Sequence, residues 1–235
     1  MEKKNLLYEG KAKIMYETDS PDKLIVYYKD DATAGNGAKK GSIKDKGVIN
    51  NKLSEFFFKF LAKNNIPTHY VETLNEREMV VQKLDMIALE VIVRNVAAGS
   101  LAKRIGFAEG TELKTPVLEY CYKNDELGDP ILNNYHIAVL DIASKAELAE
   151  IEKISFAVND LLRDFLRTKN IELIDFKLEF GRDKNNKIIL ADEISPDNCR
   201  FWDITTKEKL DKDRFRRDLG GVEDAYHEVL NRVTK

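Results

Sequence analysis

The spacing of hydrophobic residues changes along the chain, and each spacing predicts a different element. Alternating residues around Gly10 predict a hairpin over Asn5–Glu17, and the apolar run Leu24–Lys29 predicts a third strand. Val48–Lys63 carries four phenylalanines and Leu61 and ends at Asn64-Asn65 before Pro67, a stop signal, which together predict a helix packed on the core. The long segment Lys114–Tyr135 contains two prolines and an acidic run, and we expect an irregular connection there with few extended residues.

The remaining elements follow from the same rules. The pattern predicts three more strands, His69–Thr73, Glu78–Leu84 and Leu89–Asn95, and four more helices, Ser100–Ile105, Ser144–Lys169, Asp213–Leu219 and Val222–Val233. Strands that follow one another directly predict mainly antiparallel sheets, so the expected class is α+β and a Rossmann layout is excluded. There is no internal repeat and no low-complexity linker, which favours one compact unit with two lobes.

The segment Ile174–Arg200 carries the densest pattern of charge. It predicts two strands joined by a polar turn at 183–186. In the first strand charged residues recur at every second position and share one face: Asp175, Lys177 and Glu179. The apolar residues from Ile174 to Phe180 are expected on the opposite face. The return strand is apolar on both faces until Asp192-Glu193, so the hairpin is expected to be central.

Carboxylates on a central hairpin need a partner such as a metal or a lysine, whereas on an edge strand they would be solvated. Two carboxylates on adjacent strands are a natural ligand set for Mg²⁺, which takes one or two protein carboxylates together with phosphate oxygens and water. Lys11 and Lys13 beside the turn glycine fit either a solvated hairpin edge or a flap over phosphates. Arg94 at a strand end, before the helix start at Gly99-Ser100, fits a carboxylate or phosphate site or a surface position.

Four glycines make Asp30–Gly47 too long and too polar for a tight turn, so we expect a mobile loop. Its glycine spacing matches neither a P-loop nor G-x-G-x-x-G. A passive connection and a loop that closes over substrate both remain open.

Composition excludes several classes of function. The net charge of −3 gives no general attraction to nucleic acid or anionic membranes. No apolar run approaches the roughly 20 residues needed to span a bilayer, and the charged N-terminus lacks a secretory pattern. Cys121 and Cys199 lack metal-ligand spacing and predict buried thiols in a reducing cytoplasm. The three scattered histidines give no support to a His-based metal site or a Ser-His-Asp triad. The charged residues of the central hairpin, together with the lysines beside Gly10, predict a Mg²⁺-nucleotide enzyme without any reference to a family.

Seven segments of the chain carry a closer resemblance. They are YEGKAK at 8–13, KDDATAGNGAKKG at 29–41, KGVINNKLS at 46–54, LEVIVRNVAAGS at 89–100, IDFKLEFG at 174–181, DEISPDNCRFWD at 192–203 and DKDRFRRDLGG at 211–221. Together they resemble the SAICAR synthetase family of purine biosynthesis over nearly the whole chain. Two positions depart from the family pattern: Ala88, where proline is frequent, and Asn36, where some members have aspartate, so the role of Asn36 in substrate binding is open.

The resemblance implies an ATP-grasp-like fold with lobes at 1–86, which binds nucleotide, and 87–235. It implies that ATP and L-aspartate react with carboxyaminoimidazole ribotide (CAIR) to give SAICAR, ADP and phosphate through an acyl phosphate. Mg²⁺ is the implied cofactor, ATP is a co-substrate, and bacterial relatives suggest a homodimer. With the composition above, we expect a cytoplasmic enzyme without nucleic acid or membrane partners.

The resemblance also implies residue roles. The ATP site would comprise Lys11, Ala12, Lys13, Gln82, Lys83, Met86, Glu179 and Asp192. The CAIR site would comprise Arg94, Ser100, Asp175, Lys177 and Arg200, of which Arg94, Asp175 and Lys177 are the expected catalytic residues. Mg²⁺ would lie on Glu179 and Asp192, with Asp45 and Asp129 as further ligands. No residue is assigned to L-aspartate, although the 30–47 loop is a candidate. A small-molecule kinase and a non-catalytic nucleotide-binding regulator remain alternatives.

Overall fold

A computed structural model describes residues 1–35 and 37–235, so Asn36 lies outside the described residues. The strands are β1 Lys3–Glu9, β2 Lys13–Thr18, β3 Lys23–Tyr28, β4 Asp31–Ala34, β5 Lys39–Ser42, β6 Tyr70–Thr73, β7 Glu78–Gln82, β8 Asp85–Met86, β9 Leu89–Val96, β10 Glu112–Tyr122, β11 Ile131–Leu132, β12 Ile171–Arg182, β13 Ile188–Ala191 and β14 Cys199–Asp203. The α-helices are α1 Lys46–Lys63, α2 Gly99–Ile105, α3 Asn134–Val139, α4 Lys145–Arg167, α5 Asp213–Arg216 and α6 Val222–Thr234. Mixed helices and antiparallel strands confirm the α+β class.

The first half of the chain forms a five-stranded antiparallel sheet in the order β1-β2-β3-β7-β6. Helix α1 packs against β3 and β6, and α6 from the end of the chain packs on α1. Of the α1 phenylalanines that the pattern placed in the core, Phe57 and Phe58 are fully buried, whereas Phe56 and Phe60 are partly buried against it. The N-terminal hairpin β1–β2 therefore stands at one edge of a sheet that is supported from behind.

The second sheet follows the order β11-β10-β9-β12-β13, and β8 and β14 also pair with β12. The charged strand β12 is thus central, as predicted, and α4 packs across it. Helix α4 begins with the capping box that the sequence indicated, in which the Ser144 hydroxyl accepts a hydrogen bond from the Glu147 backbone N–H and the Glu147 carboxylate accepts one from Ser144.

A bulge in β12 decides which side chains face the core. Its pairing with β14 shifts register between Leu173 and Asp175, which leaves Ile174 as the extra residue. Leu173 and Phe176 both belong to the main hydrophobic core, whereas Ile174 lies in a separate cluster with Val96, Ala98 and Trp202. The expectation that Ile174 shares the core face with Phe176 is therefore wrong. After the bulge, the residues that face the core are Phe176, Leu178 and Phe180, and the charged residues between them face away from it.

Three further expectations are corrected. Lys114–Tyr135 is not an irregular connection, because β10 pairs along β9 and continues to β11. Its Pro116 falls where the register shifts between Glu112 and Val117, a position where proline costs no regular ladder bond. The segment after 195–198 forms strand β14, which the pattern did not predict. The loop 30–47 contains the short hairpin β4–β5 instead of lacking structure.

The two sheets share one core. A single hydrophobic cluster includes Val26 of β3, Val91 of β9 and Phe176 of β12, so the division into lobes at residue 86 stays a prediction. A parallel bridge between Thr68 and Leu190 also joins the sheets. The backbone N–H of the next residue, His69, donates to the Leu190 carbonyl at 2.8 Å.

The His69 side chain is buried at this junction. Its ring packs edge-on against Phe58, with 5.1 Å between ring centroids, and its Nε2 has no hydrogen-bond partner among the described residues. Burial, reinforced by the nearby Lys13 ammonium, lowers the pKa of His69 from 6.5 to about 4. The imidazole is therefore neutral when the protein is folded near pH 7.

A depressed histidine pKa makes stability depend on pH. The unfolded chain binds this proton at higher pH than the folded chain, so the stabilisation is complete above about pH 6.5 and is lost as the pH falls toward about 4. We expect this loss to reach about 3 kcal/mol in the free energy of unfolding. Urea titrations of wild type and His69→Gln at several pH values measure it. The variant should show a smaller slope between these pH values, and equal slopes would contradict the assignment.

Candidate active site

A cavity of about 840 Å³ lies between the two sheets. Eleven of the residues predicted for the site line it: Lys11, Ala12, Lys13, Arg94, Ser100, Asp129, Asp175, Lys177, Glu179, Asp192 and Arg200. They come from the N-terminal hairpin, from β9 and the start of α2, from the segment between β10 and β11, from β12, from the turn after β13, and from β14. The fold therefore brings together residues that are distant in the sequence.

The cavity wall is unusually rich in charge. Its cations are Lys11, Lys13, Arg94, Lys123, Lys177, Arg200, Lys212 and Arg216. Its carboxylates are Glu90, Asp125, Asp129, Asp175, Glu179, Asp192, Glu193 and Asp197. The two groups are equal in number, so the wall has no net charge of its own. The contacts among them form three clusters.

The central cluster surrounds Lys177. Its ammonium lies 2.5 Å from Glu179 Oε1, 3.0 Å from Asp192 Oδ2 and 3.4 Å from Glu90 Oε1. Burial lowers the pKa of Lys177, but Asp192, Glu179 and Glu90 outweigh this effect and raise the pKa well above its usual value. Lys177 is therefore a permanent cation at the point where β12 meets β13. Lys123, which follows β10, pairs with the other oxygen of Glu179.

Lys13 connects the N-terminal sheet to the central cluster. Its ammonium pairs with Asp192 and lies 3.0 Å from Glu193 Oε1. Burial opposes the charge, but these two carboxylates raise the pKa of Lys13 above its usual value. The sequence left two interpretations of Lys11 and Lys13 open, a solvated hairpin edge and a flap over phosphates. The contacts of Lys13 favour the flap, whereas Lys11 is half-exposed and pairs with Asp125 at 2.8 Å.

Asp192 adopts an uncommon backbone conformation. Its φ of 66° lies in the left-handed region, which aspartate tolerates better than most residues. The strand β13 ends at Ala191, immediately before it, and this conformation turns the carboxylate into the cavity toward both lysines. Burial raises the pKa of Asp192, but Lys13, Lys177 and Lys123 more than reverse this and hold it well below its usual range.

The arginine cluster occupies the next part of β12. Arg94 Nη1 lies 2.8 Å from Asp175 Oδ2, and Arg200 Nη1 lies 2.9 Å from the same oxygen. Arg94 also donates to the Ser100 hydroxyl at 3.2 Å and to Glu119 at 2.7 Å. Its side chain is only 4% exposed, so the surface alternative for Arg94 is wrong. This cluster holds two guanidinium groups around one carboxylate.

The Asp197 cluster lies beyond the arginines. The Asp197 carboxylate accepts hydrogen bonds from Tyr226 at 2.6 Å and from the buried Lys46 at 2.9 Å, and Lys212 approaches to 3.4 Å. Burial raises the pKa of Asp197, but Lys46 and Lys212 lower it far more. Arg216 lies beside this cluster and bonds to Asp213 at 2.7 Å.

Four predicted residues do not line the cavity: Asp45, Gln82, Lys83 and Met86. Gln82 ends β7, and Met86 lies exposed in β8, which pairs with the end of β12. Asp45 precedes α1, and its carboxylate lies 3.7 Å from His227 Nε2. The structure therefore separates Asp45 from the three other predicted metal ligands.

Several cavity residues were missed by the sequence reasoning. Glu90 alternates with Arg94 along β9, so period-two spacing could have placed it on the charged face. Lys123 lies in a segment that was expected to be irregular. Asp197, Lys212 and Arg216 lie in turns and a one-turn helix, where no periodic signal exists.

The residues of the central cluster fit a divalent cation. Glu179 and Asp192 place two carboxylate oxygens within 3.0 Å of the same ammonium, and oxygen ligands of this type suit Mg²⁺. Among residues 1–35 and 37–235, no group of three or more His, Cys, Asp and Glu side chains is arranged for a metal. Two carboxylates with phosphate oxygens and water are sufficient for Mg²⁺.

Comparison with known proteins places the chain. The family model described as SAICAR synthetase matches residues 6–233. The chain belongs to the SAICAR synthetase family. A phosphoribosylaminoimidazole-succinocarboxamide synthase from Caldanaerobacter subterraneus subsp. tengcongensis is 60% identical, and the match covers 99% of each protein. Membership confirms an enzyme, a ligase of purine biosynthesis.

Two experimental structures resemble the fold closely. A SAICAR synthetase in complex with ADP is 55% identical with a TM-score of 0.94, and the alignment covers 97% of both chains. The SAICAR synthase from Saccharomyces cerevisiae, in complex with SAICAR, is 25% identical with a TM-score of 0.81. The alignment covers 98% of this chain and 94% of the yeast chain. In the part of the chain that the structure describes, none of the helices is long and apolar enough to cross a membrane. Cys121 and Cys199 are both buried and free, which agrees with the buried thiols that their spacing predicted.

Removing the carboxylate of Asp175 tests the arginine cluster. We expect Asp175→Asn to lower the free energy of unfolding by about 3 kcal/mol, because it leaves two guanidinium groups without their shared buried anion. Asp125→Asn is a matched control in the same cavity, since Asp125 is 71% exposed and its pair with Lys11 contributes less than about 1 kcal/mol. Chemical denaturation measures both. Equal losses in the two variants would contradict the role of Asp175.

Proposed function

We propose that this SAICAR synthetase joins L-aspartate to CAIR with hydrolysis of ATP, giving SAICAR, ADP and phosphate. The observation that carries the proposal is that three charged clusters, drawn from both sheets, line one cavity. Family membership and the ADP and SAICAR complexes of the two related proteins support it. We further propose that the fold is ATP-grasp-like and that the enzyme works in the cytoplasm.

The reaction needs activation of a carboxylate. An amine cannot displace oxygen from a carboxylate directly, because the departing group would be an oxide. Transfer of the γ-phosphoryl group of ATP to the CAIR carboxylate forms an acyl phosphate and releases ADP. The amine of L-aspartate then attacks the acyl carbon, the C–O bond breaks, and phosphate leaves with the electron pair while the nitrogen loses a proton. No residue of the chain needs to act as a covalent nucleophile.

The central cluster suits the phosphoryl transfer. Such a reaction is accelerated mainly by positioning and by neutralising charge on the transferred group. Lys13 and Lys177 are permanent cations that reach the same carboxylate, Asp192, from two different sheets. In the proposed complex they turn toward the phosphates of ATP, and Lys11 and Ala12 complete the flap above them.

The arginine cluster suits CAIR. Arg94 and Arg200 present guanidinium groups that bind phosphate or carboxylate through two parallel hydrogen bonds, and Ser100 begins helix α2 beside them. Asp175 holds both arginines at fixed positions. Lys177 lies two residues further along β12, so it lies between CAIR and ATP. These positions give Arg94, Asp175 and Lys177 their proposed catalytic roles.

Mg²⁺ would be held by Glu179 and Asp192, and Asp129 in the cavity wall is a further candidate. When bound, Mg²⁺ supplies neutralising charge to the phosphates. The cavity wall has equal numbers of cations and carboxylates, so a triphosphate that enters it brings an excess of negative charge. A divalent cation offsets part of that excess. Asp45 lies outside the cavity, and the proposal gives it no role in the reacting centre.

The adenosine would lie at the margin of the cavity. Strand β8 ends at Met86 and pairs with Gly181, two residues after Glu179. Gln82 and Lys83 lie two or three residues before this strand. We propose that these residues contact the adenine and ribose while the phosphates extend inward to the central cluster.

We propose a homodimer as well. Large apolar side chains are exposed on and around α3: Leu127, Ile131, Tyr135, Val139 and Leu140. Tyr135 and Val139 are one helical turn apart and are 83% and 86% exposed. Exposed large apolar side chains that are concentrated in one segment favour an interaction site there. A second copy of the chain is the proposed occupant.

The reaction is tested by mixing the protein with Mg²⁺, ATP, CAIR and L-aspartate and identifying the product by mass. ADP release that requires both CAIR and L-aspartate supports the ligase. ADP release without L-aspartate, together with a phosphorylated product, would instead indicate a small-molecule kinase.

Charge removal in the central cluster tests the site. We expect Lys177→Ala and Glu179→Gln each to reduce turnover by orders of magnitude with the fold intact, because each removes a charge from the reacting centre. Lys184→Ala, in the exposed turn after β12, is the control and should retain wild-type turnover. Circular dichroism checks the fold. Near-normal turnover of either purified site variant would overturn the assignment.

A charge on the α3 surface tests the dimer. We expect Val139→Asp to shift the protein from dimer to monomer in sedimentation velocity, because it places a carboxylate in an apolar interface. Val71→Asp, on an exposed position of β6, should leave the sedimentation coefficient unchanged. A wild type that sediments as a monomer at all concentrations would refute the homodimer.

A further inference from the structure

The Asp197 cluster has no role in the assignments above. The reaction uses three anionic substrates, and the central and arginine clusters account for ATP and CAIR. Lys212 and Arg216 line the same cavity, but neither belongs to those two clusters. Their surroundings show what kind of molecule they can bind.

Lys212 shares its nearest carboxylate, Asp197, with two closer partners. The Asp197 carboxylate is already bonded to Lys46 at 2.9 Å and to Tyr226 at 2.6 Å, whereas Lys212 reaches it only at 3.4 Å. Burial lowers the pKa of Lys212, and the neighbouring cations Lys46 and Arg216 lower it further against the pull of Asp197. A further anion at this position would relieve the repulsion among the three cations.

Arg216 shares its carboxylate with other cations. Asp213 accepts from Arg216 at 2.7 Å and also from Arg200 of the arginine cluster at 3.0 Å. The adjacent Asp211 is fully buried, and burial together with Asp213 raises its pKa to about 7, so it carries only part of a charge at neutral pH. Positive charge therefore exceeds negative charge around Lys212 and Arg216.

The spacing of the two cations selects a dicarboxylate. The Arg216 backbone N–H donates to the Lys212 carbonyl at 2.9 Å, so the two residues are one helical turn apart on one side of the segment. Side chains at this spacing have Cβ atoms about 6 Å apart. Two cations side by side match a molecule with two carboxylates better than a single carboxylate.

The β4–β5 hairpin borders the same place. Lys39 of β5 donates to the Phe215 carbonyl at 2.6 Å and lies 4.8 Å from the centre of the Phe215 ring. Phe215 stands between Lys212 and Arg216 in the chain, and Thr33 of β4 lines the cavity. The hairpin therefore covers one side of the cationic pair, in the loop that the sequence indicated as a candidate for L-aspartate.

We propose that Lys212 and Arg216 bind the two carboxylates of L-aspartate, and this inference rests on the proposed ligase function. Lys46, Asp197 and Tyr226 act as positioning residues that fix the pair from α1, from the turn before β14 and from α6. In this arrangement the arginine cluster, which is joined to Arg216 through Asp213, holds CAIR next to the bound amino acid.

Steady-state kinetics of Lys212→Met and Arg216→Met test the proposal. We expect kcat/KM for L-aspartate to fall by about 10- to 100-fold, the loss typical of a hydrogen bond to a charged group, while the KM values for ATP and CAIR change less than about twofold. Arg167→Met and Lys207→Met are matched controls, because both residues lie outside the cavity lining. Arg216 is partly exposed, so its variant remains informative if Lys212→Met does not fold.

Binding of succinate gives a readout independent of turnover. Succinate has the two carboxylates but lacks the amine, so it should bind in calorimetry to wild type and to both controls, and its affinity should fall at least tenfold in Arg216→Met. A rise in KM for CAIR instead of L-aspartate would mean that the pair holds the CAIR phosphate, and would overturn the proposal. Wild type that forms no SAICAR would defeat the proposed function. Wild type that forms SAICAR, with unchanged L-aspartate kinetics in both variants, would defeat this inference alone.

Discussion

The burial of charge around Lys177 is the constraint on which this fold depends. A buried ammonium costs several kcal/mol unless it is paired and hydrogen-bonded. Glu179, Asp192 and Glu90 supply that pairing from β12, from the end of β13 and from β9. Each of these strands must keep its register for the charges to meet. The position of β12 at the centre of its sheet is thus tied to the same contacts that form the site.

The same constraint joins the two sheets. Lys13 belongs to the N-terminal sheet, yet its partly buried ammonium pairs with carboxylates at the end of β13 in the other sheet. The hydrogen bonds of His69 and the shared hydrophobic core support this closure from behind. Apolar packing therefore sets the distance between the sheets, and ion pairs set their alignment at the cavity.

Much of this arrangement could be predicted from the sequence, and there are physical reasons why the rest could not. Alternation in β12 placed Asp175, Lys177 and Glu179 on one face, because period two survives wherever one face is buried. The bulge at Ile174 has no such signal, since it depends on pairing with β14, in which Arg200 pairs with Asp175 from 25 residues away along the chain. Lys212 could not be found by periodicity, because a turn has no periodic pattern. The position of Asp45 outside the cavity could not be predicted either, because a family motif gives the type of residue and not its place in the fold.

The pairing of every cavity cation has a consequence for how ligands enter. Each of the eight cations lies within 3.4 Å of a carboxylate, so all eight are already paired with protein anions. Ligand binding is therefore an ion exchange, in which a phosphate or carboxylate of the substrate replaces a carboxylate of the protein. Its free energy is the difference between two ion pairs. In the proposed reaction, this exchange would also leave protein carboxylates without partners, and their oxygens would suit the divalent cation that accompanies ATP.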